Sequence, residues 1–196
     1  MRNVNHPAKD SIITVLPIRN LKDIATIKKM LTNPRDYALF VVGINTAFRA
    51  SDLLSLSVGQ VRHLEPGDTL PVREIKTKKE RRVTLNKAGH DAIRKLLTTM
   101  PEATDDDPLF QSRNGGKELK VPTLNGMVKE WCSRVNLPGN YGSHTLRKTF
   151  GYQHRVAFGT DLPTLMQVYG HSTQAQTLHY LCIQATEIKD AFMRDL

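Results

Sequence analysis

Apolar residues recur at helical spacing along most of this 196-residue chain, and one central region breaks the pattern. The segment NLKDIATIKKML places Leu21, Ile24, Ile27 and Leu31 on one helical face. Helical segments of this kind also occupy residues 33–48, 86–100, 121–136 and 142–181, the last broken near Gly159 and Gly170. This pattern predicts a mostly α-helical protein.

Two short runs of β-type sequence, TLPVREI and RRVTL, lie in the centre of the chain and flank the polar stretch KTKKE. They predict a hairpin or a small three-stranded sheet. The predicted fold class is therefore α+β, mostly helical with one small antiparallel sheet. Residues 1–19, with Pro7 and Pro17, are predicted to form an irregular N-terminal segment, and residues 20–196 one domain.

The ends of several helices are marked by residues that cap them. Asn20, Ser51, Ser143 and either Ser172 or Thr173 are predicted N-caps, because their side-chain oxygens can accept a bond from a free helical N–H. Pro34 is expected at the start of the second helix, and Pro122 or Thr123 at the start of the helix after residue 120.

The chain is basic, with 28 Lys and Arg against 19 Asp and Glu, a net charge of +9 and an isoelectric point near 9.7. Residues 73–95, around the predicted hairpin, are the most basic part. Such a charge suits a polyanionic partner, because Lys and Arg displace counterions from a phosphate backbone. Simple solubility is the competing interpretation of the charge alone.

The cysteine content and the absence of targeting signals indicate a soluble cytoplasmic protein. Cys132 and Cys182 are fifty residues apart and form no C-x-x-C pair, which suits a reducing compartment. No apolar run reaches the length of a membrane span, and MRNVNHPAKD lacks the pattern of a signal peptide.

Polar residues of the last helical region suggest a phosphate site. His144 and Arg147 in GSHTLRKTFG are three residues apart near a predicted helix start, where free N–H groups favour an anion. Tyr180 follows His171 by nine residues, and its hydroxyl becomes a plausible nucleophile only with cations nearby. A surface His and Arg, and a Tyr packed in the core, are the competing interpretations.

A further arginine lies in the apolar segment NTAFRASDLLSL. Arg49 follows Phe48, and Asp52 three residues later could hold its guanidinium. The planar fork of an arginine suits phosphate because it donates two parallel hydrogen bonds.

Taken in order, these motifs closely resemble the catalytic domain of the tyrosine recombinases, or phage integrase family, from about residue 20 to residue 185. GINTAFRASDLLSL resembles the first arginine box, IKTKKERRVTL the β-hairpin, LFQSRNGGK a family loop, HTLRKTFG the second box and YGHSTQAQTLHYL the third. The resemblance implies that the catalytic residues are Arg49, Lys76, His144, Arg147, His171 and Tyr180, with Asp52 as the acidic helper.

The resemblance also implies a mechanism. Tyr180 would attack a DNA phosphodiester, form a 3′-phosphotyrosyl link and release a 5′-hydroxyl. Arg49, Arg147 and His171 would stabilise the transition state, Lys76 would protonate the leaving oxygen, and His144 would assist proton transfer. No metal or other cofactor is implied. The expected partners are double-stranded DNA and other protomers in a synaptic complex, and no membrane. The DNA contacts are expected from Lys78, Lys79, Arg81 and Arg113.

Some assignments stay open at this point. Lys78 or Lys79 could replace Lys76, because a hairpin register can slip. Tyr169, where the family more often has an apolar residue, is either a packed ring or a second reactive hydroxyl. The segment after Tyr180 either docks on a neighbouring protomer or packs on its own domain. The residues before the first helix are too few for the N-terminal DNA-clamping domain of most relatives, so the chain is either a single-domain member or a catalytic fragment.

Three other functions compete with strand exchange. The chain could be a recombinase-derived module that binds DNA without cutting it, or a relaxing type IB topoisomerase, which uses similar chemistry. A metal-dependent enzyme built from the seven histidines is the third, but neither the spacing of His171 and His179 nor that of His144 and His154 is a recognised ligand spacing. The DNA site, and the choice among integration, excision, inversion and dimer resolution, cannot be read from the motifs.

Overall fold

The computed structural model describes residues 14–75, 78, 80–113, 115–183 and 192–193. Within these residues, nine helices and one hairpin follow each other along the chain. They are α1 (Leu21–Met30), α2 (Pro34–Thr46), α3 (Ala50–Leu54), α4 (Val58–Val61), β1 (Thr69–Arg73), β2 (Glu80–Thr84), α5 (Lys87–Leu97), α6 (Val121–Arg134), α7 (Ser143–Val156), α8 (Leu162–Tyr169) and α9 (Gln174–Leu181). The predicted α+β class, mostly helical, is confirmed.

The two strands form an antiparallel hairpin in which Thr69 pairs with Thr84 and Arg73 with Glu80. The described residues contain no third strand in this sheet, so the hairpin alternative is the correct one. Residues 76, 77 and 79, which fall between the two strands in the sequence, lie outside the described residues, and so do the predictions for Lys76 and Lys79.

Helix α2 lies at the centre of the core, where it packs against α5 and α7. Its residues from Ala38 to Val42 are almost completely buried, because a helix that is apolar on every side is stable only inside a fold. Phe40 meets Trp131 of α6 edge to face, with ring centroids 5.9 Å apart. A smaller buried cluster joins Ala47, Leu165, Tyr169, Leu181 and Ile183.

The segment before α1 is extended and packs along α7. The backbone N–H of Ile18 donates to Thr149 Oγ1 at 2.9 Å, and Gln153 Nε2 donates to the carbonyls of Ile18 and Arg19, each at 2.9 Å. Arg19 in turn donates to the carbonyl of Cys182 at 3.2 Å, just after α9. These contacts join the start of the described chain to the two helices near its end.

Several predicted helix ends are confirmed and others are wrong. Asn20 and Thr173 cap α1 and α9 through their side chains, and Gly170 ends α8 in the left-handed conformation at φ 68°. Helix α6 begins at Val121, slightly earlier than predicted. Ser51 is not an N-cap, because α3 begins at Ala50.

Ser143 is not an N-cap either, because the chain enters α7 one residue earlier, at Gly142. A side chain at Gly142 would collide with Asn125 of α6, whose Oδ1 accepts a hydrogen bond from the N–H of Ser143 at 3.0 Å. Thr145 Oγ1 accepts from the N–H of Gly142 at 3.0 Å and closes the helix start. The contact with α6 therefore decides where α7 begins.

No helix in the described part of the chain has the length and apolar character needed to cross a bilayer.

At Gly151, α7 packs tightly against residues of α8 and α9. A Cβ at this position would lie 2.7 Å from Leu181 Cδ2 and 2.8 Å from Tyr169 Cε2, too close for two buried side chains to accommodate. We expect Gly151→Ala to lower the free energy of unfolding by about 1–3 kcal/mol, as overpacking does in other cores, measured by urea denaturation.

Gly126→Ala in α6 is the matched control for that substitution. Gly126 is exposed and a Cβ there would meet nothing within 4 Å. Alanine is the better helix former, so this variant is expected to gain about 0.5–1 kcal/mol. Equal stability of Gly151→Ala and Gly126→Ala would contradict the close packing described around Gly151.

Candidate active site

Arg147 lies on α7 with only 5% of its surface exposed. Its guanidinium donates to the carbonyl of Ala47 and, at 3.3 Å, to that of Tyr169. The carbonyl of Ala47 is available because this residue ends α2 in the left-handed conformation, at φ 51°. Burial lowers the pKa of Arg147. The two backbone carbonyls hold the guanidinium of this predicted phosphate ligand in place.

Arg49, between α2 and α3, is held by two carboxylates. Its Nη1 is paired with Glu74 and lies 3.7 Å from Asp52 Oδ2. The predicted Arg49–Asp52 pair is therefore present. The buried Asp52 also accepts a hydrogen bond from the N–H of Ile75 at 2.9 Å, so it links the arginine to the start of the hairpin tip.

Glu74 was not among the residues singled out from the sequence. It is 8% exposed, and its carboxylate contacts Arg49 and lies 3.9 Å from Arg81 Nη1. The sequence pattern that could have identified Glu74 is the alternation of inward and outward side chains along β1. Leu70 and Val72 point inward, and Glu74 continues the same face. An acid on an inward strand face requires a cationic partner.

Arg81 on β2 contributes a third arginine to the same cluster. It donates to the carbonyl of Ala47 at 3.0 Å, which Arg147 also contacts. Burial, followed by the charge of Arg147, lowers the pKa of Arg81 to about 10. The side chain of Arg81 is only 14% exposed and lies at the buried side of the arginine cluster. Its proposed DNA contact stays a prediction.

Tyr180 lies on α9, with its ring against two other rings. The centroids of His171 and Tyr169 are each 5.3 Å from that of Tyr180. Its hydroxyl is buried and has no hydrogen-bond partner among the described residues. Burial raises the pKa of Tyr180, and the charge of Arg147 is the largest influence in the opposite direction.

His171 follows α8 and is fixed by neighbours on two sides. Its ring stacks on Tyr169 at an interplanar angle of 21°, and its Nδ1 lies 3.1 Å from Thr177 Oγ1. Because Nδ1 is engaged, Nε2 remains for a ligand. Burial, Arg147 and Arg49 all lower the pKa of His171.

Tyr169 itself is a packed ring. It is 3% exposed, its hydroxyl donates to the carbonyl of Arg147 at 2.6 Å, and the Arg147 guanidinium lies 4.7 Å from its ring centroid. Burial raises the pKa of Tyr169 well above its ordinary range. Of the two tyrosines, Tyr180 is thus the one whose hydroxyl has no protein partner in the described structure.

His144 lies on the exposed side of the first turn of α7, one turn before Lys148. Both line a cavity of about 310 Å³ beside Tyr180. The other residues of its wall are Thr14, Val15, His171, Gln176 and His179. Partial burial and then the charges of Lys148 and Arg147 lower the pKa of His144. Lys148 was not singled out from the sequence, although its i, i+4 spacing from His144 was the available signal.

The structure thus brings together Arg49, Asp52, Arg147, His171 and Tyr180, with His144 at the cavity beside them. Arg81 belongs to the same cluster, and Lys76 and Lys79 fall outside the described residues. Two further predicted residues lie away from the cluster. Lys78 is exposed near the hairpin tip, and the exposed Arg113 borders a different cavity, of about 600 Å³.

The described residues contain no group of three or more His, Cys, Asp or Glu side chains arranged to hold a metal ion. Positive charge near Tyr180 comes from Arg147, Arg49 and Lys148.

The histidines give the protein a pH-dependent stability. The pKa values of His144, His154 and His171 all lie below the ordinary 6.5, so the folded chain binds fewer protons than the unfolded chain does. We expect the free energy of unfolding to be retained at pH values above the ordinary histidine pKa of about 6.5 and to fall as the pH drops below it. Urea denaturation across this range measures it, and greater stability at the lower pH would contradict the burial of these rings.

Comparison with known proteins supports the family that the sequence motifs resemble. The model of the phage integrase family matches residues 16–187. "Probable integrase/recombinase YoeC" of Bacillus subtilis (strain 168) is 34% identical over 180 residues, which cover 91% of this chain and 95% of the relative. "Tyrosine recombinase XerC" of Caldanaerobacter subterraneus is 29% identical over 160 residues, 80% of this chain but 44% of the relative. The chain thus spans less than half of that XerC.

Solved structures share the fold. XerA recombinase superposes with a TM-score of 0.72 at 21% identity, covering 97% of this chain and 68% of that one. XerH bound to its palindromic difH substrate gives a TM-score of 0.74 at 19% identity, covering 94% and 53%. Three observations indicate the same family: the order of the motifs, the shared fold and the family match over most of the chain. The chain belongs to the phage integrase family, the tyrosine recombinases.

Proposed function

We propose that this chain is a site-specific DNA recombinase that cleaves and rejoins strands through a 3′-phosphotyrosyl intermediate. The Tyr180 oxygen forms a bond to the phosphorus while the bond from phosphorus to the 5′ oxygen breaks. The phenolic proton leaves the tyrosine, and the 5′ oxygen takes up a proton. One phosphoester replaces another of similar energy, so no nucleotide cofactor is needed.

One observation carries this proposal: the hydroxyl of Tyr180 is buried beside the Arg147 guanidinium and makes no hydrogen bond of good geometry with the described residues. A buried polar atom without a partner is rare in a folded protein and needs an explanation. A scissile phosphate bound between this hydroxyl and the arginines supplies that partner.

The other groups have roles that follow from their positions. Arg147 and Arg49 neutralise the charge that develops on the phosphoryl oxygens, and Nε2 of His171 donates to one of them in the tautomer whose Nδ1 accepts from the Thr177 hydroxyl. Their carbonyl and carboxylate partners hold the guanidinium groups before DNA arrives, which reduces the reorganisation needed in the reaction. His144 relays protons near the nucleophile, and Lys76, from the hairpin tip, protonates the leaving 5′ oxygen.

The proposed partners are double-stranded DNA and further protomers on the same DNA. The excess of basic residues supports a polyanionic partner, and XerH, which shares the fold, was solved on its difH substrate. Lys78, Lys79, Arg81 and Arg113 are the proposed DNA contacts. DNA as the substrate is consistent with a cytoplasmic location. Residues 20–196 are proposed to be the catalytic domain.

A trapping experiment tests the function. The protein is incubated, with a chelator present, with nicked duplexes of randomised sequence, so that the short strand diffuses away after cleavage. A denaturing gel detects covalent protein–DNA adducts, mass spectrometry locates the modified residue, and sequencing of the trapped DNA begins to define the site. An adduct on Tyr180 is expected. Binding of DNA without any adduct would favour the non-cleaving module, and loss of activity with the chelator would favour a metal enzyme.

A further inference from the structure

Lys148 is a buried lysine that the mechanism above does not use. It follows Arg147 on α7 and is 7% exposed. Its Nζ lies 4.9 Å from the centroid of the Tyr180 ring and 3.5 Å from the Sγ of Cys182. In the described part of the chain, no carboxylate lies within ion-pair distance of it.

A buried ammonium group without a carboxylate is costly, because it loses hydration that no opposite charge replaces. A lysine serving only solubility would extend into solvent. Here the only aromatic face that Lys148 contacts in the described structure belongs to the proposed nucleophile. A cation over an aromatic face is attracted electrostatically by the ring quadrupole, whose face is partly negative, and more strongly when water is excluded.

Contacts with the Tyr180 ring matter because the polar end of this side chain is weakly anchored. Its hydroxyl lies beside the Arg147 guanidinium but makes no hydrogen bond of good geometry with the described residues. His171 meets the ring at 74° and Tyr169 at 55°, and neither stacks flat on it. Lys148 supplies a polar attraction to the ring in addition to these two contacts.

We infer that Lys148 is a positioning residue for the proposed nucleophile: its ammonium group holds the Tyr180 ring so that the hydroxyl faces the phosphate between the arginines. This inference rests on the proposed function. It differs from a direct role in DNA binding, which the position of Lys148 in the cavity wall would also allow.

Lys148→Met, which keeps an unbranched side chain one atom shorter and removes its charge, tests the inference. We expect adduct formation at saturating nicked DNA to slow on the order of 10-fold or more, since misplacement of a reacting group by a fraction of an ångström is costly. The dissociation constant for intact duplex should not change. Lys148→Arg should restore most of the rate, because a guanidinium also binds an aromatic face.

Lys95→Met is the matched control. Lys95 lies 5.2 Å from the ring centroid of Tyr37, a contact of the same kind away from the site. This variant is expected to keep the wild-type rate. Thermal unfolding of each variant shows whether it is folded.

A second measurement does not depend on activity. In the NMR spectrum of isotope-labelled tyrosines, assigned through Tyr180→Phe, the ring resonances of Tyr180 should shift in Lys148→Met and those of Tyr37 should not. Unchanged Tyr180 resonances would overturn the inference even if the wild-type chain formed no adduct. Weaker DNA binding at an unchanged cleavage rate would also overturn it, and would make Lys148 a DNA contact. Absence of an adduct in the wild-type chain would count against the proposed function alone.

Discussion

Tyr180→Phe is expected to abolish the covalent protein–DNA adduct while leaving DNA binding intact. The substitution removes one oxygen and keeps the ring, which packs against His171 and Tyr169. Because that oxygen has no hydrogen-bond partner in the described protein, its removal leaves no group unsatisfied and should not lower stability. Denaturing gels with nicked duplex measure the adduct, and gel shifts with intact duplex measure binding.

Tyr169→Phe is the control for that experiment, because it removes a hydroxyl from the neighbouring ring. That hydroxyl donates to the carbonyl of Arg147, so its loss should cost about 1 kcal/mol of stability but leave the adduct in place. An adduct that survived in Tyr180→Phe and vanished in Tyr169→Phe would keep the family and reverse the choice of nucleophile.

Arg147→Lys is expected to slow adduct formation by about 100- to 1000-fold, although the positive charge is kept. The guanidinium contacts two carbonyls, those of Ala47 and Tyr169, and still has donors left for a phosphate. A lysine has one nitrogen and cannot make these contacts and a bidentate phosphate contact together. Single-turnover cleavage of nicked DNA at saturating concentration measures the effect.

Arg62→Lys is the matched control for this loss. Arg62 also donates to a backbone carbonyl, that of Ala103 at 2.6 Å, but at an exposed position outside the site. Its variant should cleave at the wild-type rate. Urea denaturation of both variants separates a chemical effect from unfolding, and a nearly normal rate in Arg147→Lys would show that charge alone suffices there.

Local sequence signals predicted most of the helices but misplaced three of their starts, those of α3, α6 and α7. The apolar spacing and caps of α1 and α9 act within one turn, so Asn20 and Thr173 could be identified directly. The start of α7 depends on Asn125, which is distant in sequence and close in space. Such a contact has no signature in the segment that it controls.

The candidate site likewise contains groups that local sequence motifs indicate and groups that they cannot indicate. The motifs singled out Arg49, Arg147, His171 and Tyr180, because each lies in a recognisable local pattern. They could not indicate the carbonyl of Ala47, which two arginines share, because its availability depends on a left-handed residue at the end of α2. A backbone oxygen of an ordinary alanine carries no sequence signal, although it fixes the position of the cations.

The extended segment before α1 has a consequence for the order of folding. Ile18 bonds to Thr149 across a sequence separation of 131 residues, and Arg19 to Cys182 across 163. Closing such large loops costs entropy that local helices do not incur, so these contacts form late. Because Cys182 lies two residues after Tyr180, the surroundings of the proposed nucleophile are complete only once these long-range contacts have formed. A partly folded chain that has its helices but lacks these contacts therefore has no ordered position for Tyr180.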